Sequence, residues 1–296
     1  MERKFDMIVV GGGPAGYSAA LYAARAGLRV AVLEKLSAGG QMALTDSIDN
    51  YPGFDEGIDG FSLGEKMQLG AERFGAVTEL AEVYSMDLKA ELKVLETSEG
   101  TFHARTVVIA TGAGPRELGI PGEQNRAHYC AACDGMRYRG KTVAVIGGGN
   151  SAVGDALQLA RIAKKVYVIH RRDSLRAEKI HQDSLMGAEN VEILWNSAPL
   201  EMSESGVLIE DVRTGEKTLV ECDGVFVSIG RKPATSLVAG QLELDRAGYI
   251  VADETTKTNI PGVFAAGDVR TKPLRQVVTA VADGAMAVHF AQEYLA

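Results

Sequence analysis

Two short glycine runs, each at the end of an apolar stretch, constrain this chain more than any other feature. Gly11-Gly12-Gly13-Pro14-Ala15-Gly16 follows residues 5–10 (FDMIVV), and Gly147-Gly148-Gly149-Asn150-Ser151-Ala152 follows residues 142–146 (TVAVI). Short, largely apolar runs of this kind read as buried strands of a parallel sheet. A helical stretch follows each turn (14–26 and 151–162), and then a second apolar strand (30–33, VAVL; 166–169, VYVI). Each set is a complete β-turn-α-β unit. Its glycines permit a tight turn and close approach of the backbone to a pyrophosphate, whose charge the helix N-terminus favours. The expectation is an α/β chain with two Rossmann-like, three-layer dinucleotide-binding domains.

The stretches after the two units repeat as well. Residues 61–74 look helical, 76–83 read as a strand, and strands near 84–88 and 93–96 suggest a small antiparallel meander before the buried strand 106–109. In the second half, 191–195 is a strand, 207–209 and 218–221 suggest another meander, and 224–229 is the closing strand. After Gly240 too little chain remains for a third copy, so the strand 262–266 and the helix 275–295 should complete the first domain. The second domain is then inserted in the first: residues 1–112 and 240–296 form one, and 113–239 the other, with Gly114-Pro115 marking a break.

The second strands of the two units end differently. The first ends at Glu34, a little over twenty residues past Gly11, where an acid can bond ribose hydroxyls. The second ends in His170-Arg171-Arg172, with Arg176 beyond. Replacing the acid removes repulsion of a 2′-phosphate, and paired arginines can grip one, so the second site should prefer NADPH to NADH. The plain alternative is a solvated basic turn.

Between the fingerprints lies Cys130-Ala131-Ala132-Cys133-Asp134-Gly135. Zinc would want further Cys or His ligands at similar spacing, but the third cysteine, Cys222, stands alone and His128 is the one neighbour. A structural bridge over so short a loop would constrain little of the unfolded chain. A redox dithiol remains, in which one thiolate attacks and the other resolves the mixed disulfide. Asp134 could shuttle a proton or cap a helix or turn. Two dinucleotide sites bracketing a dithiol suggest an electron relay. With a net charge of −8, 46% hydrophobic residues and three cysteines in 296 residues, no affinity for nucleic acid or anionic membrane and no secreted disulfide framework is expected. There is no signal-peptide pattern and no apolar run long enough for a bilayer, so a cytoplasmic location is the simplest reading.

With these residues assembled, the chain resembles the low-molecular-weight thioredoxin reductases over nearly its whole length. The resemblance implies FAD at the first fingerprint, held by Gly11, Gly13, Pro14, Ala15, Gly16, Glu34, Lys35, Gly40, Gln41, Asn50, Val83, Thr111, Gly112, Asp268, Arg275, Gln276 and Val277. It implies NADPH at Gly147, Gly149, Asn150, Ser151, Ala152, His170, Arg171, Arg172, Arg176, Ile229 and Gly230. Cys130 would attack the disulfide of thioredoxin or a thioredoxin-like protein, Cys133 would lie beside the flavin, and Asp134 would be the acid-base partner. No metal is implied, and the family is homodimeric. Val153-Gly154-Asp155 stands where relatives often carry two adjacent acids, and Arg231-Lys232-Pro233-Ala234 varies among relatives; both lie near the NADPH end. Relatives drawing electrons from ferredoxin or a deazaflavin are the alternative, expected to have degraded the second fingerprint. A peroxide-reducing flavoprotein component would carry an N-terminal thioredoxin-like extension, and a turnover-free redox sensor would not need a hydride donor site.

Overall fold

Successive side chains of a strand point to opposite faces of its sheet, so a strand apolar at every position must be covered on both sides. The structure, a computed structural model describing residues 3–45 and 47–296, shows that covering in two compact units. Met1, Glu2 and Asp46 lie outside the described residues. One unit is Met1–Gly114 with Lys232–Ala296, and the other is Pro115–Arg231.

The first unit begins with β1 (Arg3–Val10), α1 (Pro14–Arg25), β2 (Val30–Glu34), α2 (Gly60–Glu72) and β3 (Val77–Leu80). The strands β4 (Val83–Asp87), β5 (Lys93–Thr97) and β6 (Gly100–Ile109) follow, and β7 (Ala113–Pro115) leads out. The second unit runs through α3 (Glu123–Arg126), β8 (Ala127–His128), α4 (Ala131–Asp134), β9 (Thr142–Ile146), α5 (Asn150–Ala160), β10 (Lys165–Ile169) and α6 (Lys179–Met186). It continues with β11 (Val191–Leu194), β12 (Ser197–Ser203), β13 (Gly206–Asp211), β14 (Lys217–Glu221) and β15 (Gly224–Val227). The return passes through β16 (Arg231–Pro233), which pairs with β7, to β17 (Val263–Ala265) and α7 (Val277–Leu295).

In the first unit β3, β2, β1, β6 and β17 form a parallel sheet, and the long β6 also carries the antiparallel meander β5–β4. Met7 and Val9 of β1 face a core shared with α1 and α7, while Ile8 and Val10 face a core that includes Met86, Leu95 and Phe102 of the meander. The second unit repeats this logic in the parallel order β11-β10-β9-β15-β8. Val143 and Val145 pack with α5, and Ala144 and Ile146 with the separate meander β12-β13-β14. Helices, sheet and meander make three layers in each unit, the doubly covered arrangement that the apolar strands demand.

Helix α7 ties the C-terminal segment to the first fingerprint. Its face of Ala280, Gly284, Ala287 and Ala291 lies against α1, so closely that a Cβ on Gly284 would overlap the Ala15 carbonyl oxygen. The helix starts at Val277 and not at Arg275, because Gln276 is its N-cap and forms a capping box with Thr279. The expected strand 76–83 is interrupted: β3 ends at Leu80 and β4 starts at Val83. The units divide at Gly114/Pro115 and Arg231/Lys232, whereas the sequence reading set the limits at 112/113 and 239/240. Residues 232–239 belong with the first unit because Val238 is buried in its core with Leu242 and Ile250, and Thr235 Oγ1 donates to the Gly248 carbonyl at 2.9 Å. Strand β12 and helix α6 were not legible in advance; β12 contains Pro199 and a register shift there, which masks its alternation.

Candidate active site

The first fingerprint is built by the sharp exit from β1. Gly11 has φ of 107°, a conformation other residues avoid, and its amide donates to the Leu33 carbonyl at 2.9 Å. A Cβ on Gly16 would overlap the Gly11 carbonyl oxygen, so helix and turn can meet only with glycine there. Pro14 occupies the first turn of α1, and no side chain caps its N-cap residue Gly13. Helix amides are thereby left available to an anion. At the end of β2 the Glu34 carboxylate accepts from the Gly12 amide at 2.7 Å and from the Leu36 amide at 3.0 Å, which stands it over the turn. Gly40 approaches the same turn: a Cβ there would stand 3.5 Å from the Gly13 Cα.

The remaining residues expected around this turn come from distant segments of the same unit. Asn50 Nδ2 donates to Gln276 Oε1 at 3.1 Å, joining two of them across 226 positions. Thr111 Oγ1 donates to the Ala234 carbonyl at 2.7 Å, at the end of β6. Gly267 and Asp268 form a 3-10 turn after β17, and Val277 is the first residue of α7. Arg275 stacks on Tyr249 at 4.1 Å, and its buried Nε has no hydrogen-bond partner among the described residues. Lys35 and Gln41 are exposed, whereas Val83 is buried in the meander core. A glycine cradle, an uncapped helix terminus, an oriented acid and an unmet buried donor together fit a dinucleotide.

In the second unit Gly149 is the N-cap of α5, again without a side-chain cap, and a Cβ on it would meet nothing within 4 Å. A Cβ on Gly147 would overlap the Ala152 Cβ and the Ser228 carbonyl at the end of β15, just before Ile229 and Gly230. His170 takes the place that Glu34 holds in the first unit, its ring lying over Gly148 so closely that a Cβ there would overlap it. Burial pushes His170 below its ordinary value, the charges of Arg176 and Arg172 push the same way, and the Ser174 carbonyl, 3.0 Å from Nε2, opposes them. The ring is therefore neutral near pH 7. Arg171, Arg172 and Arg176 are exposed just beyond β10, and the Arg176 amide donates to the Gly148 carbonyl at 2.7 Å, drawing that loop back to the turn. Asn150 Oδ1 accepts from the Glu178 amide at 2.8 Å, while Ser151 is exposed and Ala152 buried.

Cys130 and Cys133 are joined as a disulfide with Cα atoms 5.3 Å apart. Cys130 is the N-cap of α4, and its carbonyl accepts from the Cys133 and Asp134 amides at 3.2 and 3.0 Å. The preceding Tyr129 is pinned by its hydroxyl, which donates to the buried Glu123 at 3.0 Å. Asp134 makes no capping bond; its Oδ2 lies 3.2 Å from His128 Nδ1. His128 Nε2 in turn lies 2.6 Å from the Tyr138 hydroxyl. This Asp134–His128–Tyr138 chain is what the sequence reading missed. His128 was weighed there only as a metal ligand; its place two residues before Cys130 was the available signal.

The match to the family model described as pyridine nucleotide-disulphide oxidoreductase extends over residues 5–284. The thioredoxin reductase of Treponema pallidum is 44% identical over 303 residues, covering 100% of this chain and 98% of that protein. That of Listeria innocua is 42% identical, covering 99% and 95%. Among solved structures, thioredoxin reductase from Streptococcus pyogenes superposes with a TM-score of 0.93 at 43% identity, covering 100% of this chain and 99% of that one. The enzyme from Giardia duodenalis also reaches 0.93, at 35% identity and 99% coverage of both chains. The chain belongs to the pyridine nucleotide-disulphide oxidoreductases and, within them, to the low-molecular-weight thioredoxin reductase family. That membership implies a flavin and a nicotinamide cofactor.

Proposed function

We propose that this protein passes electrons from NADPH, through FAD, to the Cys130–Cys133 disulfide and then to the disulfide of thioredoxin or a thioredoxin-like protein. The observation that carries the reading is a half-buried Cys130–Cys133 pair built into the same unit as a complete nucleotide fingerprint whose strand ends in exposed arginines. FAD and NADPH, when bound, supply the two-electron chemistry that reduces the disulfide. The first unit is the FAD-binding part and the second unit the NADPH-binding part in this reading. Glu34, held by two backbone amides, is oriented for ribose hydroxyls. Arg275 would offer its unmet Nε to the flavin, and Asn50, Gln276, Thr111 and Asp268 would complete the FAD-binding set in this reading. His170, uncharged and pressed on Gly148, neither repels nor grips a 2′-phosphate, leaving that task to Arg171, Arg172 and Arg176.

Once reduced, Cys130 attacks the partner disulfide and Cys133 resolves the mixed disulfide, with Asp134 as proton acceptor and donor. The chain acts as a homodimer in the cytoplasm in this reading; no described helix is long and apolar enough to cross a membrane.

The test is anaerobic. FAD-loaded protein is titrated with NADPH and, separately, with NADH, and thiol formation in added thioredoxin is followed. NADPH should bleach the flavin at far lower concentration than NADH and yield two thiols per thioredoxin. Bleaching by a reduced ferredoxin or deazaflavin but by neither nucleotide would overturn the choice of donor. Flavin reduction without thioredoxin reduction would overturn the choice of partner.

A further inference from the structure

We propose that His128 is a positioning residue for the dithiol, holding the Asp134 carboxylate aimed while the thiol proton is exchanged; this rests on the reading above. The imidazole has polar partners on both nitrogens, Asp134 Oδ2 at 3.2 Å from Nδ1 and the Tyr138 hydroxyl at 2.6 Å from Nε2. With an ionised carboxylate and a neutral ring, one proton arrangement is consistent: Tyr138 donates to Nε2, and the Nδ1 hydrogen donates to the carboxylate. The ring is fixed further by Phe226, 5.2 Å away between centroids, against which Tyr138 also packs edge-on at 5.5 Å. Phe226 is fully buried in β15. His128 is therefore wedged between the parallel sheet and the turn after the cysteines, and Asp134 is tied to the sheet through it.

The charged groups around this chain come from each element that packs on it. Arg137, within the turn, lies 3.9 Å from Asp134 Oδ1. Arg126 of α3 and Asp223, just before β15, act on Tyr138 in opposite directions, and Lys141 lies 5.7 Å from its ring. Burial is the main cause that raises the Tyr138 hydroxyl above its ordinary value, so it remains a donor at working pH.

The step balances as follows. Asp134, with Oδ2 held by Nδ1–H, takes the Cys130 proton on its free lone pairs. The Cys130 thiolate forms a bond to one partner sulfur and displaces the other as a thiolate, which receives the proton from Asp134. The Cys133 thiol then loses its proton by the same route, its sulfur bonds to Cys130 and releases the second partner sulfur, which is protonated. Two electrons and two protons pass from the dithiol to the partner disulfide, and Cys130–Cys133 is oxidised. A hydrogen bond to a carboxylate favours its charged form, so loss of the donor should be felt in the pH dependence of the exchange.

The experiment compares His128→Phe, which removes the donor, with His128→Asn, whose amide can donate in place of Nδ1. Two pH profiles are recorded on FAD-loaded protein: kcat/KM for thioredoxin, and the rate of iodoacetamide alkylation of the chemically reduced dithiol, which needs no nucleotide. In His128→Phe the acid limb of both profiles should move up by about one pH unit, equivalent to roughly tenfold in proton affinity. His128→Asn should stay close to the parent protein. An unmoved limb in His128→Phe, or equal displacement in both variants, overturns the proposal; lower rates with unmoved limbs count against it in the same way. Failure of the parent protein to reduce thioredoxin would instead sink the underlying reading, while the alkylation profile would still decide the role of His128.

Discussion

The Glu34 carboxylate accepts from the Gly12 amide at 2.7 Å, so the acid at the end of β2 is fixed over the glycine turn 22 residues before it. In the second unit His170 occupies the same place over Gly148. One geometry thus carries two chemistries, a carboxylate in the first unit and an uncharged ring flanked by arginines in the second.

Glu34→Ala should weaken FAD binding by about tenfold or more, the value of one or two hydrogen bonds to a charged group. Fluorescence of released flavin during dialysis measures it. The second unit should be unaffected, so nucleotide binding there, followed by calorimetry, should stay unchanged.

Replacing both Arg171 and Arg172 with alanine should raise the Michaelis constant for NADPH by roughly tenfold or more. NADH, which lacks the 2′-phosphate, should be nearly unaffected. The two guanidinium groups are exposed, and the substitution removes no core contact. Equal losses with both nucleotides would show that the arginines do not read the phosphate.

The cysteines should differ in what they trap. Cys133→Ser should accumulate a mixed disulfide between Cys130 and thioredoxin, visible on a non-reducing gel, because no resolving thiol remains. Cys130→Ser should not. Cys222 should not react in either, since burial is the first cause that pushes its thiol up to about 11, with Asp223 adding to it. Mass spectrometry of iodoacetamide-treated native protein should find Cys222 unmodified near pH 7.

Asp283→Asn should destabilise the first unit by about 3–5 kcal/mol, the usual cost of removing one partner from a buried charge cluster. Asp283 accepts from Arg270 Nη2 at 2.7 Å, from Lys272 Nζ at 2.8 Å and from the Gly267 amide at 2.8 Å. It thereby fastens α7 to the turn that follows β17. Burial alone would raise its carboxyl, but Arg270 and Lys272 outweigh burial and leave it below the ordinary carboxylate range. The resulting stabilisation is complete above the unfolded value of about 3.9 and is lost as pH falls through the lower folded value. Urea melts at pH 7 and pH 3 should show a smaller difference between parent and variant at the lower pH.

Sequence by itself determined the elements whose physics is local. An apolar run such as TVAVI has to be covered on both faces, a glycine turn into an alanine-rich helix can close in few ways, and a strand end in Glu34 or in His170-Arg171-Arg172 states its charge outright. Hence both β-turn-α-β units, the first meander, two of the three strands of the second and the nested order were legible from the sequence. Tertiary structure alone decided which distant residues meet. Asn50 finds Gln276 across 226 positions, and Asp283 finds Arg270 and Lys272, because α7 packs face to face on α1. Residues 232–239 join the first unit because Val238 needs its core. His128 became part of the dithiol's surroundings only when β8 paired with β15 and set its ring on Phe226, between Asp134 and Tyr138. Strand pairing and burial act between positions far apart in the chain, and a lone histidine on an edge strand carries no periodic signal from which that meeting could be read.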